Sequence, residues 1–397
     1  MIFGAGINQM ELIRAAKELG VTSVVIDPMP DPPGKAEADF FYRVDGKDYE
    51  TTKSIAIKHG VIGIVTGQME NPLRLMAKLA EELGFIFNTK DVIEKSLDKW
   101  LMKNAFLNNM VPTARGLLLK KDKPPEKGLF EQIGYPLILK PKDSFSSRGV
   151  YKIECFDDLL KHIHHSRNFS SNGNVIIEEF LEGREFSVET ITYKGETTII
   201  QHTEKFITPY PYTVEMGHLQ PAELTDTEKN EINHLVISAI KAIGIDNTAS
   251  HAEVMLTKEG PKMIEIGARL GGDFISSYLT RTSTGINLDK ATIKLALGDP
   301  PDIERTADPY SYIKYFNLPA GAFIQEIGDS NELRELPFLV FHHLFLKPGD
   351  LVTELTHSAQ RSGCLLVKGQ NRKEVISRAK LIEKRIISKI RYRIINS

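Results

Sequence analysis

Along the first hundred residues, short β-rich apolar runs alternate with amphipathic runs, the pattern of a parallel sheet covered by crossover helices. Strands are expected at 2–3, 21–26, 61–66 and 85–87. Gly20, Gly60 and Gly84 each follow a helical run, where a helix C-terminus favours a left-handed residue. From about residue 97 the pattern changes to a helix over 99–109, a break at Val111-Pro112, and closely spaced strands at 135–140, 175–180 and 186–193. Turn signals at Ser171-Asn172-Gly173 and Lys194-Gly195 suggest hairpins and an antiparallel sheet. A helix over 227–243, strands at 251–256 and 262–266 and a helix over 288–297 follow. Gly298-Asp299-Pro300-Pro301 then marks a boundary. The remainder reads as mixed α/β and ends in a helix with Val375, Ala379, Ile382, Ile386 and Ile390 at spacings of three and four. Three segments are expected: 1–96, 97–300 and 301–397.

The 397 residues allow two or three domains. With 41% hydrophobic and 26% charged residues, the composition is that of a globular chain. Fifty Lys+Arg against 52 Asp+Glu leave a formal charge of -2, so no global attraction to nucleic acid or to an anionic membrane is expected. Cys155 and Cys364 are too few for a disulfide framework. The absence of a long apolar run or a charged leader adds to the expectation of a cytoplasmic protein.

Candidate chemistry begins with Gly4-Ala5-Gly6 after the first strand and Asp27 closing the next, as in a dinucleotide site. Gln9, however, stands where the third small residue belongs. In the middle segment, Asp98-Lys99 opens a helix and Lys140 closes an apolar strand. A Ser/Gly loop over 141–150 follows, containing Ser144, Ser146, Ser147 and Gly149. Backbone amides, hydroxyls and an ammonium can together grip a polyphosphate, although a solvated strand end would look the same. Glu178, Phe180, Leu181 and Glu185 lie where a hydrophobic strand ends, turns at Gly183 and resumes. Acids there can accept hydrogen bonds from an adenine amino group and a ribose, or form a solvated edge. Alternation places His251, Glu253 and Met255 on one strand face, and Met263, Glu265 and Gly267 on one face of the next. Two carboxylates so placed suit Mg²⁺, and Arg269 just beyond could stabilise transferring charge. A buried Glu265–Arg269 salt bridge is the plainer alternative. His162, His164 and His165 read as a surface cluster, and the basic C-terminal helix as a solvated face.

Taken in order, these motifs resemble the ATP-grasp superfamily, specifically its carboxylate-amine ligases, over about residues 1–300. The resemblance implies α/β and α+β architecture: a βαβ pre-ATP-grasp domain, a two-subdomain ATP-grasp fold with a mobile lid at about 112–182, and a small C-terminal α/β domain. It implies that Lys99 and Lys140 hold ATP phosphates beneath a lid containing Ser144, Ser146, Ser147 and Gly149. Glu178 and the Phe180-Leu181 backbone would meet adenine, with Glu185 on the ribose. Glu253 and Glu265 would hold Mg²⁺, or Mn²⁺ in its place, and Arg269 would steady the acyl-phosphate and tetrahedral species. Gly267 departs from the pattern, since many members have a metal-ligating Asn there. The stretch 205–221 looks like the substrate segment of L-amino-acid (dipeptide) ligases, which points to Glu215 and His218 as substrate residues beside Gly271 and Gly272. A packed loop is the alternative for this stretch.

The expected activity is an ATP- and Mg²⁺-dependent ligase joining a small-molecule carboxylate to an amine through an acyl-phosphate. Catalysis would rest chiefly on Glu265, Arg269 and His218, and relatives allow a homodimer. A bicarbonate-using carboxylase and a non-catalytic nucleotide-binding protein are the alternatives, with a dinucleotide oxidoreductase the poorest.

Overall fold

A computed structural model describes residues 1–144, 148–210 and 212–395. The lid positions Ser146 and Ser147 lie outside the described residues. The chain divides into two compact units, each discontinuous in sequence: 1–113 with 183–202 and 224–307, and 114–182 with 203–223 and 308–397. These units cut across the three successive segments read from the sequence.

The first unit opens with a parallel sheet ordered Phe40–Arg43, Val24–Asp27, Ile2–Phe3, Val65–Thr66. Its core joins Ile2, Leu12, Ile13, Val25 and Val65 to Ile293 and Ala296 from the helix Leu288–Leu297. Gly20, Gly60 and Gly84 all have left-handed φ, as the helix ends require. The strands that follow begin later than the apolar runs predict. The amides of Val21, Val61 and Phe85 bond back to Ala16, Ala56 and Ala80, closing the helix just finished instead of extending a sheet. Hence the strands start at Val24 and Val65, and no strand forms at 85–87. The strand Phe40–Arg43, half-exposed at the sheet edge, was not anticipated.

An antiparallel sheet of the same unit runs Gly260–Gly267, Thr248–Thr257, Arg184–Tyr193 and then Glu196–Ile207, whose last residues belong to the second unit. Lys194 and Gly195, both at positive φ, make the tight turn expected there. The helix Asp226–Ile243 starts at a Thr225–Glu228 capping box and stops at left-handed Gly244.

The second unit contains the antiparallel sheet Gly116–Leu119, Val175–Glu179, Leu137–Pro141, Tyr151–Ile153. Helices Lys127–Ile133 and Phe156–Asn168 cover a core that includes Phe130, Leu139, Leu159 and Ile177. Ser171-Asn172-Gly173 is therefore a helix-to-strand link, not a hairpin. Strands Glu215–Gln220, Tyr310–Phe316, Gly363–Gly369 and Leu339–Leu344 pair successively and pack against the helix Arg372–Ser388. That helix buries Val375, Ala379, Ile382 and Ile386, the expected stripe, whereas Ile390 begins a strand, Ile390–Ile394. Among the described residues, no helix is long and apolar enough to cross a membrane.

Candidate active site

Strand register in the first unit assembles the first group of candidates. On adjacent antiparallel strands Glu253 stands opposite Glu265, and His251 opposite Gly267. On the other side, His251 pairs with Glu189, Glu253 with Ser187 and Met255 with Glu185. Directly opposed residues share a sheet face, so Glu185, Glu189, His251, Glu253 and Glu265 lie on one face. The ladder shifts after Glu253, where Val254 pairs with Met263. This bulge at Ile264 turns Met263 into the core with Val254. The expected common face of Met263 and Glu265 is thereby corrected.

Lys99 begins the helix Lys99–Asn108, which Asp98 caps by accepting from the amides of Trp100 and Leu101. Its Nζ lies 2.9 Å from Glu265 Oε2. Arg269 does not pair with Glu265. It donates from Nε and Nη2 to Glu70 Oε1 at 3.1 and 2.6 Å, and from Nη1 to the Leu270 carbonyl at 3.0 Å. Glu70 was missed by the sequence reading. Its only signal is its place just after the parallel strand Val65–Thr66, at the carboxyl end where open α/β sheets keep their ligand sites. Burial by itself lowers the pKa of Lys99 and Arg269. The carboxylates of Glu265, Glu70 and Glu253 outweigh it, and both cations are raised above their ordinary pKa. Burial also acts against charge on His251, yet Glu189 at 2.5 Å, helped by Glu253, lifts it to about 9. Glu70, Glu189, Glu253 and Glu265 thus gather around Lys99, Arg269 and His251. Oxygen donors directly opposed on neighbouring strands fit a hard divalent ion such as Mg²⁺.

The second group lies in the second unit. Lys140 and Glu178, each 7% exposed, form an ion pair of 2.7 Å between neighbouring strands. Glu178 stands opposite Ile138, two residues from Lys140, so the pair is the diagonal contact of one sheet face. Glu179 points the other way and receives the Nε and amide of Arg115 at 2.7 and 3.0 Å. Phe180 carries Lys152 Nζ 4.8 Å from its ring centroid and meets Tyr210 edge-on at 5.4 Å; its amide donates to the Pro136 carbonyl. Leu181 is half-buried beside it, and Ser144 is buried. Gly149 has φ +75°, and a Cβ there would lie 2.8 Å from the Phe169 ring, so the loop requires glycine.

Glu215 and His218 sit on a strand, Glu215–Gln220, so the alternative of a packed loop fails for them. Glu215 is 2.8 Å from Lys205 Nζ, and His218 is buried edge-on to Tyr315. Gly271 and Gly272 belong to the first unit, immediately after Arg269 and Leu270.

The remaining motifs have plain partners. Asp27 accepts from the amides of Ala5 and Met29, both at 2.8 Å, so the acid a dinucleotide ribose would need already braces the glycine turn. His162 stacks on Tyr151 and lies 3.5 Å from Asp158, one turn earlier. On the C-terminal helix, Arg372 pairs with Glu204 and Arg378 with Glu374, and Lys389 just past its end pairs with Glu332.

Two segments of the chain are similar to known domains. Residues 133–277 match the model of the ATP-grasp domain, and 315–391 that of the L-amino acid ligase C-terminal domain 2. The chain is 32% identical over 151 residues to dapdiamide A synthase of Enterobacter agglomerans, covering 35% of this chain and 34% of that protein. It is 30% identical over 220 residues to alanine–anticapsin ligase of Bacillus subtilis strain 168, covering 50% and 46%. The aligned stretches thus span between a third and a half of those relatives. The fold matches the crystal structure of an L-amino acid ligase from Bacillus licheniformis with TM-score 0.82 and 20% identity, covering 100% of this chain and 98% of that one. The chain thus carries a segment similar to the ATP-grasp domain, followed by one similar to the L-amino acid ligase C-terminal domain 2.

Proposed function

We propose that the protein is an ATP-dependent ligase joining a carboxylate to an amine, with amino acids as the substrate class and dipeptides as products. The observation that carries this reading is the single sheet face bearing Glu253 and Glu265, with Lys99 paired to Glu265. It gives oxygen donors and a fixed cation to a magnesium nucleotide, and Arg269 stands four residues further along. In this reading, 1–96 is a pre-ATP-grasp domain, 97–300 the ATP-grasp domain with a lid at about 112–182, and 301–397 a C-terminal domain.

Glu253 and Glu265 would hold Mg²⁺, whose contribution is neutralisation of phosphate charge. Lys99 and Lys140 would orient the phosphates beneath the lid that includes Ser144 and Gly149, with Glu178, Phe180 and Leu181 at adenine and Glu185 at ribose. A substrate carboxylate oxygen bonds to the γ-phosphorus as ADP leaves. The amine nitrogen then bonds to the acyl carbon as phosphate leaves, and the proton lost from nitrogen passes to the departing phosphate. Arg269, held in orientation by Glu70, would meet the charge on the acyl oxygen. Glu215 would receive an α-ammonium and His218 would orient the reacting carboxyl group; Gly271 and Gly272 would also serve the substrate. Such a mechanism needs no side-chain nucleophile; positioning and exclusion of water carry it.

The test is ADP release measured over pairs of amino acids and small acids, with products identified by mass. ADP formation that requires both a carboxylate and an amine is expected, with a condensed product of matching mass. Turnover that needs bicarbonate instead would assign a carboxylase, and nucleotide binding without turnover on any pair would defeat the ligase reading.

A further inference from the structure

Behind Glu253 lies a chain of buried side chains that the proposed chemistry does not use. Ser276, Glu189 and His251 are 1%, 1% and 7% exposed. The Gly271 amide donates to Ser276 Oγ at 2.7 Å, and Ser276 Oγ donates to Glu189 Oε2 at 3.1 Å. Glu189 Oε1 receives His251 Nδ1 at 2.5 Å, which leaves His251 Nε2 facing Glu253 Oε1 at 3.5 Å. Each member thus has one partner on either side, and the chain begins on the Gly271 backbone and ends on a proposed metal ligand.

Two independent features show that this part of the fold is built to these contacts. A Cβ at Gly271 would lie 2.7 Å from both Glu189 Oε2 and His251 Nδ1, so the loop backbone rests directly on the pair. Beyond it, Asp273 and Phe274 both take left-handed φ, +52° and +59°, before the π-helical turn Ile275–Leu279 that presents Ser276. Left-handed backbone at two successive non-glycine residues is costly and persists where surrounding contacts impose it.

We infer that His251 and Glu189 are positioning residues: they fix the carboxylate of Glu253 for its metal, and through Ser276 they fasten the Gly271-Gly272 loop to the same anchor. Carboxylate ligands depend on such outer partners for orientation, and removing one weakens metal binding by about 10–100-fold. The inference rests on the proposed role of Glu253.

Its test reads metal binding and loop protection, not turnover. Free Mn²⁺ is titrated by electron paramagnetic resonance against the full-length protein with saturating ADP, well below each variant's unfolding midpoint. His251→Ala is expected to weaken Mn²⁺ binding at least tenfold, and the isosteric Glu189→Gln several-fold. Ser276→Ala is expected to speed amide exchange in the peptide containing Gly271, measured by hydrogen–deuterium exchange mass spectrometry. Wild-type Mn²⁺ affinity in both His251→Ala and Glu189→Gln, even with lowered midpoints, would reduce the pair to a structural contact and overturn the inference. Unchanged exchange in Ser276→Ala would overturn its loop arm. If wild-type and Glu253→Gln proteins bind Mn²⁺ equally in the presence of ADP, the metal role itself fails and the inference falls with it. Wild-type binding lost in Glu253→Gln but kept in His251→Ala sinks the inference alone.

Discussion

Arg269 is held by acceptors that use the breadth of its guanidinium: one carboxylate oxygen receives two of its nitrogens, and a backbone carbonyl receives a third. A lysine offers a point charge without that fork. Arg269→Lys is therefore expected to lower kcat by about 10²–10³ with little change in unfolding temperature, measured by ADP release and thermal denaturation. Glu70→Ala leaves the guanidinium buried without its counter-ion, which costs about 3–5 kcal/mol, readable in urea denaturation. The sequence alone could not have suggested that pairing, because the two residues are 199 positions apart and the place of Glu70 just after a strand names no partner for it. Asp289 shows the converse, a buried carboxyl group without compensation. It is 2% exposed, and burial, reinforced by the charge of Glu11 against a weaker opposing effect of Arg281, raises it to about 7. Between pH 4 and 7 the unfolded chain releases this proton while the folded chain keeps it. The folded state then binds more protons, so stability falls as pH rises through that window and levels off above it. Asp289→Asn should flatten the slope and raise stability at pH 8 by up to about 4 kcal/mol, measured by denaturation from pH 4 to 8.

At the scale of elements, what was legible was what short-range chemistry determines. The helix Leu288–Leu297 falls where its apolar pattern and following glycine put it, and the C-terminal helix buries its predicted stripe. Strand starts were misread because Val21, Val61 and Phe85 look like strand residues but spend their amides on the preceding helix. The facing of Met263 was misread for a different reason. A bulge is a property of the pairing between two strands, and alternation along one strand cannot reveal it. Lys99 lay on firmer ground, since the Asp98 cap sets where its helix starts. Replacing Asp98 with alanine removes the acceptor for two first-turn amides and should cost about 1 kcal/mol of stability. Because Lys99 is the first residue of that helix, the KM for ATP should rise several-fold. Asp98→Asn, which can still cap, should restore most of both; thermal denaturation and steady-state kinetics separate the two effects.

For the whole molecule, the compact units decide which pieces can stand alone. Residues 1–113 share a unit with 183–202 and 224–307, so the opening βαβ segment completes a core that later sequence begins. Ile293 and Ala296 are buried against Leu12, Ile13 and Val65, and Glu70 supplies the counter-charge of Arg269. A chain starting at residue 97 would keep every ATP-grasp motif from Lys99 onward yet expose that apolar face. It would also leave Arg269 without its carboxylate. Sequence order makes such a cut look natural, because the change of pattern near residue 97 reads as a domain boundary; packing makes it destructive. The truncated chain is expected to be poorly soluble, to lose cooperative unfolding and to release no ADP. Adding separately purified residues 1–96 should recover part of the activity if the interface re-forms. A soluble 97–397 fragment with a sharp thermal transition and full turnover would show that the contacts of Ile293, Ala296 and Arg269 with the opening segment are dispensable.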